Sequence, residues 1–294
     1  MCSKTFDVLS ALIPCILPDS NGTDRRQALL LLNNLCIPKE NKERILMGEV
    51  RDDFLNALLL VFHQRLPEAH IAAACIYNLS FLESAKVMLI SYTPPEEMSR
   101  VHSARSSYSF TSPTAKDNSL LRIVEDTVVH FSPYLAKAYQ KRIATVEAAT
   151  IRWSMALIRN LVTVPENALI VAKTTQFPRL AAQCLLESTK NGVNIGQWTV
   201  DSIEDSSLLL ILMLIQNDED SCRTLDTKEV RDAMARVSKL PGIHGVRAGV
   251  ILQKLDEISN RSVASETELI PTHSQLELDT PANAGENIDT LASF

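Results

Sequence analysis

Asn34, Asn78 and Asn160 each stand directly before a leucine at the end of a long apolar run, in "LLNNL", "CIYNL" and "LIRNL". A carboxamide carries two N–H donors and an acceptor oxygen, and leaving it unpaired inside a core costs roughly 1–3 kcal/mol. Each asparagine must therefore be bonded by a neighbouring element or be turned toward a ligand. The ligand such amides suit is an extended peptide, whose own backbone N–H and C=O groups lack partners.

The residues preceding these asparagines repeat as well. On an α-helix, positions i and i+4 differ by only about 40°. Four residues back from each asparagine lie Leu30, Ala74 and Ala156; eight back lie Arg26, His70 and Arg152; seven back lie Gln27, Ile71 and Trp153. Three helices thus present the same stripe, with a basic or imidazole group near the start, an apolar spacer, then an amide. An arginine fork engages a carboxylate through two hydrogen bonds, so Arg26 and Arg152, with His70 between them, suit an acidic group on the bound segment. The candidate groove is therefore Arg26, Asn34, His70, Asn78, Arg152, Trp153 and Asn160. Asn33 lies about 100° off the stripe and reads as incidental. In the competing reading the asparagines bond neighbouring helices and hold the turns that follow them.

The elements that must position these residues also recur. "ALLLLNNLCIPKENKERIL" is echoed by "AAACIYNLSFLESAKVMLI", by "WSMALIRNLVTVPENALIV" and more faintly by "LLLILMLIQNDEDSCRTL". Each is a long apolar helix, a short polar break and a second amphipathic piece. The spacing from Asn34 to Asn78 is 44 residues, and from Asn78 to Asn160 it is 82, or twice 41. Helical units with a period near 40–45 stack into a superhelix, because one unit alone leaves its apolar face uncovered. The expected fold is all-α, an armadillo/HEAT-like right-handed α-solenoid over residues 1–261. It is interrupted by a Ser/Thr/Pro-rich loop at 91–119 and a shorter insertion at 188–206. Residues 262–294, acidic and poor in hydrophobic side chains, read as a disordered tail. In the fourth unit Met213 takes the place of the asparagine, so the groove ends there or that unit is a cap.

The "NL" ending resembles the third helix of armadillo repeats, a family in which that asparagine lines the concave surface and holds the backbone of an extended peptide. The resemblance implies the same role for Asn34, Asn78 and Asn160. The tryptophan that often precedes the asparagine by four positions is here Leu30, Ala74 or Ala156, so recognition of lysine-rich nuclear signals is not implied. "EAATIRWSMALIRNLVTVPENALIVAK" (Glu147–Lys173) and "HIAAACIYNLS" (His70–Ser80) further resemble the PUL domain, an armadillo-like module of phospholipase-A2-activating-protein-like ubiquitin factors. That family holds the carboxy-terminal tail of the AAA ATPase valosin-containing protein in a basic groove. Carried over, Arg152 matches a groove arginine, while the corresponding residue of the first helix is Leu30, a departure. The implied function is that of an adaptor in ubiquitin-dependent quality control, in the cytoplasm or nucleus.

Composition narrows the alternatives. After Arg261 there is no lysine or arginine; removing the six acids of that segment from the 35 in the chain leaves 29, equal to the 29 basic residues. A neutral body argues against a dedicated nucleic-acid binder. No apolar run reaches the roughly 18 residues needed to span a membrane. Six cysteines lack Cys-x-x-Cys spacing, and six histidines lack metal-binding spacing. His63 and His70 are separated by Pro67, which breaks any helix that would align them. There is no phosphate-binding glycine loop and no nucleophile elbow, so no cofactor is expected and a non-enzymatic role is preferred. One alternative is a generic armadillo-type scaffold using the leucine-rich face around Leu208–Leu214. Another is an enzyme whose catalytic residues come together only in the fold. Thr93-Pro94 and Ser112-Pro113 in the long loop would suit kinases.

Overall fold

The computed structural model describes residues 8–94, 119–141, 144–191, 201–217 and 219–268, and the regular structure among them is all helix, with no strand. The helices are α1 (Val8–Ile16), α2 (Gly22–Leu35), α3 (Lys39–Met47), α4 (Arg51–His63), α5 (Ala69–Leu79), a 3-10 turn (Glu83–Ala85) leading into α6 (Lys86–Ser91), and α7 (Leu120–Lys141). They continue as α8 (Val146–Leu161), α9 (Pro165–Thr174), α10 (Phe177–Lys190), α11 (Ile203–Asn217), α12 (Glu219–Leu225), α13 (Lys228–Val237) and α14 (Ile243–Glu268).

Local chemistry sets several of these boundaries. The Asn21 side chain accepts the Thr23 N–H at the start of α2, and the Thr145 hydroxyl accepts the Ala148 N–H at the start of α8. Both satisfy donors that a helix start leaves open. Pro165 opens α9, where a missing N–H is harmless. Pro133 lies inside α7 and deprives the Val129 carbonyl of its usual donor. The Ser132 hydroxyl donates to that same carbonyl at 3.0 Å.

The packing follows a period of three elements. Neighbours pair as α1 with α2, α4 with α5, α7 with α8, α10 with α11, and α13 with α14. Each member of a pair then touches its counterpart in the next. One row therefore runs α2–α5–α8–α11–α14 and the other α1–α4–α7–α10–α13, with short α3, α6, α9 and α12 as crossings. One hydrophobic cluster lies between the rows, from Leu29, Phe54 and Ile76 through Met155 and Phe177 to Ile211 and Leu255. The helices carrying Asn34, Asn78 and Asn160 are consecutive members of one row.

Several expectations need adjustment. Leu208, Leu210, Ile211 and Leu214 are fully buried, so the leucine-rich face proposed as a scaffold interface is core instead. Leu209, Leu212 and Met213 are half-buried, so the run has neighbours on most of its faces, which periodicity alone does not distinguish from an exposed face. The insertion at 188–206 is narrower than expected, since α10 continues to Lys190 and α11 begins at Ile203. Its residues 192–200 lie outside the described residues, as do 95–118 of the long loop and the tail from 269 onward. The final helix runs past the expected tail start at Ser262, to Glu268. The ends of the long loop meet: Leu120 N–H donates to the Tyr92 carbonyl at 2.7 Å, and Tyr92 O–H donates to Asn56 at 3.1 Å. Among the described residues no single helix is long and apolar enough to cross a membrane.

Candidate functional site

At the start of the row, two adjacent arginines have opposite fates. Arg25 is 7% exposed, pairs with buried Glu68 at 3.0 Å, and donates to the carbonyls of Pro18 and Ser20. Arg26 is exposed and has no carboxylate partner among the described residues. Its charge reaches His70 on α5, so two of the expected groove residues are neighbours. His70 is half-buried, and its Nδ1 donates to the Pro67 carbonyl at 3.0 Å. Burial first, and Arg26 in addition, hold the imidazole below its ordinary pKa, so it is mainly neutral at pH 7.

The asparagines divide. Asn34 is exposed. Asn78 is half-buried and donates to the Asn33 side-chain oxygen at 3.0 Å, and more weakly to the Asn33 carbonyl at 3.4 Å. Asn33, incidental on its helix alone, is thus the residue through which α2 meets α5. Lying 100° off the solvent stripe is what turns it toward the next helix in the row. Asn160 is only 9% exposed, and its amide donates to the Ser80 hydroxyl at 2.7 Å, at the turn that ends α5. Two of the three amides therefore tie helix to helix, and only Asn34 is turned outward.

Arg152 and Trp153 belong to a run of cation and ring contacts that passes through the buried Tyr77 ring. The Arg152 guanidinium lies 4.8 Å from the Trp153 ring, and its Nε donates to the Asp201 carbonyl at 2.8 Å. Trp153 meets Tyr77 at 5.4 Å, Tyr77 meets Phe81 edge-on at 5.0 Å, and Lys42 of α3 lies 5.3 Å over the Phe81 ring. Phe81 is 49% exposed. Arg159 closes the strip from below, donating to the Asp201 carboxylate at 2.6 Å and to the Tyr77 hydroxyl at 3.3 Å. Burial first, with Asp201 adding to it, pushes the Tyr77 hydroxyl up to about 12. Asp201 itself has a left-handed backbone (φ 61°), held by two arginines of α8 just ahead of α11. Tyr77, Phe81, Lys42, Arg159 and Asp201 are absent from the sequence-derived site. A signal for two of them was present: Tyr77 and Arg159 are 82 residues apart, the same spacing as Asn78 and Asn160.

Cation–ring contacts of this kind contribute about 0.5–2 kcal/mol each and pre-order the side chains. The strip places no nucleophile beside a base, and no group of three metal-binding side chains occurs among the described residues. A separate cleft of about 480 Å³ lies on the other row between α7 and α10, lined by Ser132, Leu135, Cys184 and Lys190. Burial pushes the Cys184 thiol up to about 12, which makes it a poor nucleophile. Comparison with protein-family models, curated proteins and solved structures gives no match.

Proposed function

We propose that this chain is a non-enzymatic, armadillo-type α-solenoid that holds an extended peptide or the tail of a partner protein along α2, α5 and α8. The observation carrying this reading is that Arg26, His70 and the Arg152–Trp153 pair fall on successive helices of one row, with Arg26 and Arg152 lacking carboxylate partners among the described residues. The three-element packing period supports the solenoid reading. The groove differs from the one first drawn: Asn34 and the Arg152 fork are its polar contacts, Trp153 and Phe81 its apolar ones, while Asn78 and Asn160 hold its wall. In its most specific form the proposal is a PUL-like adaptor for valosin-containing protein in ubiquitin-linked quality control, in the cytoplasm or nucleus. Affinity capture from cell extract with the native chain and with Arg26→Glu tests it, mass spectrometry being the readout. Loss of a discrete set of proteins on the variant supports the reading; identical captured sets would sink it.

One observation favours a scaffold as the second reading. Ile243, Val246 and Val250 are exposed along one face of α14, the last helix of the row. A partner retained by Arg26→Glu but lost on Val246→Asp would point there.

A further inference from the structure

On the helix between those bearing Arg26 and Arg152 stands a ring whose hydrogen-bonding sense is fixed by the fold. His70 lies in the first turn of α5, with its Nδ1 3.0 Å from the Pro67 carbonyl oxygen. A carbonyl only accepts, so Nδ1 carries the proton. A neutral imidazole has one N–H, which leaves Nε2 as a bare acceptor. Among the described residues Nε2 has no hydrogen-bond partner, and it is not enclosed by protein. Burial first, and the Arg26 charge in addition, oppose protonation of the ring, against the Pro67 carbonyl and Glu68, which favour it. The charged groups acting on it are Arg26 of α2 and Glu68 at the start of α5, the latter already held by Arg25. The other helices packed on α5, α4 and α8, add none among the described residues.

The same helix offers a second acceptor. The Asn78 amide nitrogen is committed to Asn33, which leaves its side-chain oxygen without a partner among the described residues. Across the row the face therefore alternates donor, acceptor, donor: Arg26 on α2, His70 and Asn78 on α5, Arg152 on α8.

We infer that His70 selects the occupant of this face by accepting a main-chain N–H of an extended peptide at Nε2, and that protonation of the ring releases it. The inference deepens the docking reading above and rests on it. An extended segment brings N–H groups that lack partners, while its carbonyls and acidic side chains suit the flanking arginines. Once Nε2 gains a proton it becomes a donor, so two N–H groups face each other and the imidazolium stands beside the Arg26 guanidinium as a like charge. Neutral His70 is the binding-competent form, and the apparent Kd rises as the inverse of its population. The sign separates this role from the acidic pairing expected from the sequence. A ring that paired with a carboxylate would hold the segment more tightly as pH falls; an acceptor holds it less tightly.

The test titrates a fluorescently labelled peptide of the valosin-containing-protein tail against the full native chain, His70→Gln and His70→Lys at about pH 7.5 and about pH 5.0. Melting midpoints are recorded at both pH values. Gln keeps an acceptor oxygen and does not titrate, whereas Lys is a permanent donor. The native chain is expected to lose at least about four times as much affinity at the lower pH as His70→Gln. Titration of the peptide's own acids cancels in that ratio. His70→Lys should bind weakly at both pH values. Equal losses in the native chain and His70→Gln, or tighter binding by His70→Lys, overturn the inference. If Arg26→Glu still weakens binding of that peptide, the docking reading then stands without it. No binding by the native chain at pH 7.5 removes both. Nitrogen-15 spectra of His70 in the free chain should show Nε2 as the unprotonated nitrogen at pH 7.5. The opposite tautomer would overturn the inference whether or not the peptide binds.

Discussion

At the α2 end of the row and at the α8 end, one short motif meets two environments. In "LLNNL" the second asparagine is exposed, flanked by Leu30, by Leu31 (45% exposed) and by unpaired Arg26. In "LIRNL" the asparagine is buried against Ser80, and the arginine before it is claimed by Tyr77 and Asp201. The sequences are nearly alike. The difference is what lies alongside: α8 has α5 on one flank and α11 on the other, whereas among the described residues α2 meets only α5 in its row. A polar side chain on a stacked helix becomes structural when a second neighbour arrives and stays available when none does.

The strongest way to break this comparison is with the two adjacent arginines. Arg25→Ala leaves Glu68 buried without its cation and is expected to cost about 3–5 kcal/mol, read as a large fall in the denaturation midpoint. Arg26→Ala is expected to stay within about 0.5 kcal/mol of the parent. Comparable losses from both would show that Arg26 is as much a part of the packing as Arg25. Next in size, Asn160→Ala removes the donor to the Ser80 hydroxyl, which keeps its own bond to the Tyr77 carbonyl, and should cost about 1 kcal/mol in urea unfolding. Asn34→Ala should cost almost nothing, because its amide already meets water. If the order of those two were reversed, the assignment of Asn160 to the wall would be wrong.

The smallest effect concerns pH. His244 lies between α11 and α14, 4.0 Å from Asp205 and near Arg247. Burial lowers its pKa below 6.5, Asp205 raises it in part, and Arg247 lowers it. Between that lowered value and 6.5 the unfolded chain binds more protons than the folded one. Stability attributable to this group is therefore present above pH 6.5 and declines as pH falls through that window. The thermal midpoint of the native chain should drop further between pH 7.5 and 5.5 than that of His244→Gln. A variant with the same or a steeper drop would refute the assignment.

Much of the fold was legible in the sequence, and the site less so. The period that aligned Asn34, Asn78 and Asn160 also aligned three helices that do pack in succession, because the residues facing a core repeat with the packing unit. Helix faces were harder. Periodicity distinguishes a stripe from its flank but does not say which flank the next helix covers, so neither the Asn33–Asn78 contact nor the burial of Asn160 against Ser80 is visible in it. A count of leucines in α11 suggests an apolar surface, whereas Leu208, Leu210, Ile211 and Leu214 all face the core. Lys42 and Phe81 could not be found from the long helices, since one comes from a crossing helix and the other from a turn. Asp201 is fixed by its backbone conformation and by two arginines more than 40 residues away in sequence, which no local pattern reports.

The central claim is that the α2 end of the row is a docking face, and one titration addresses it most directly. A fluorescently labelled peptide of the valosin-containing-protein tail is titrated against the native chain and Arg26→Glu, with the melting midpoint of each recorded. Reversing one unpaired charge at the face should weaken binding about ten-fold or more, equivalent to about 1.4 kcal/mol, while the midpoint stays unchanged. Equal affinity for the two proteins at equal stability would contradict the account.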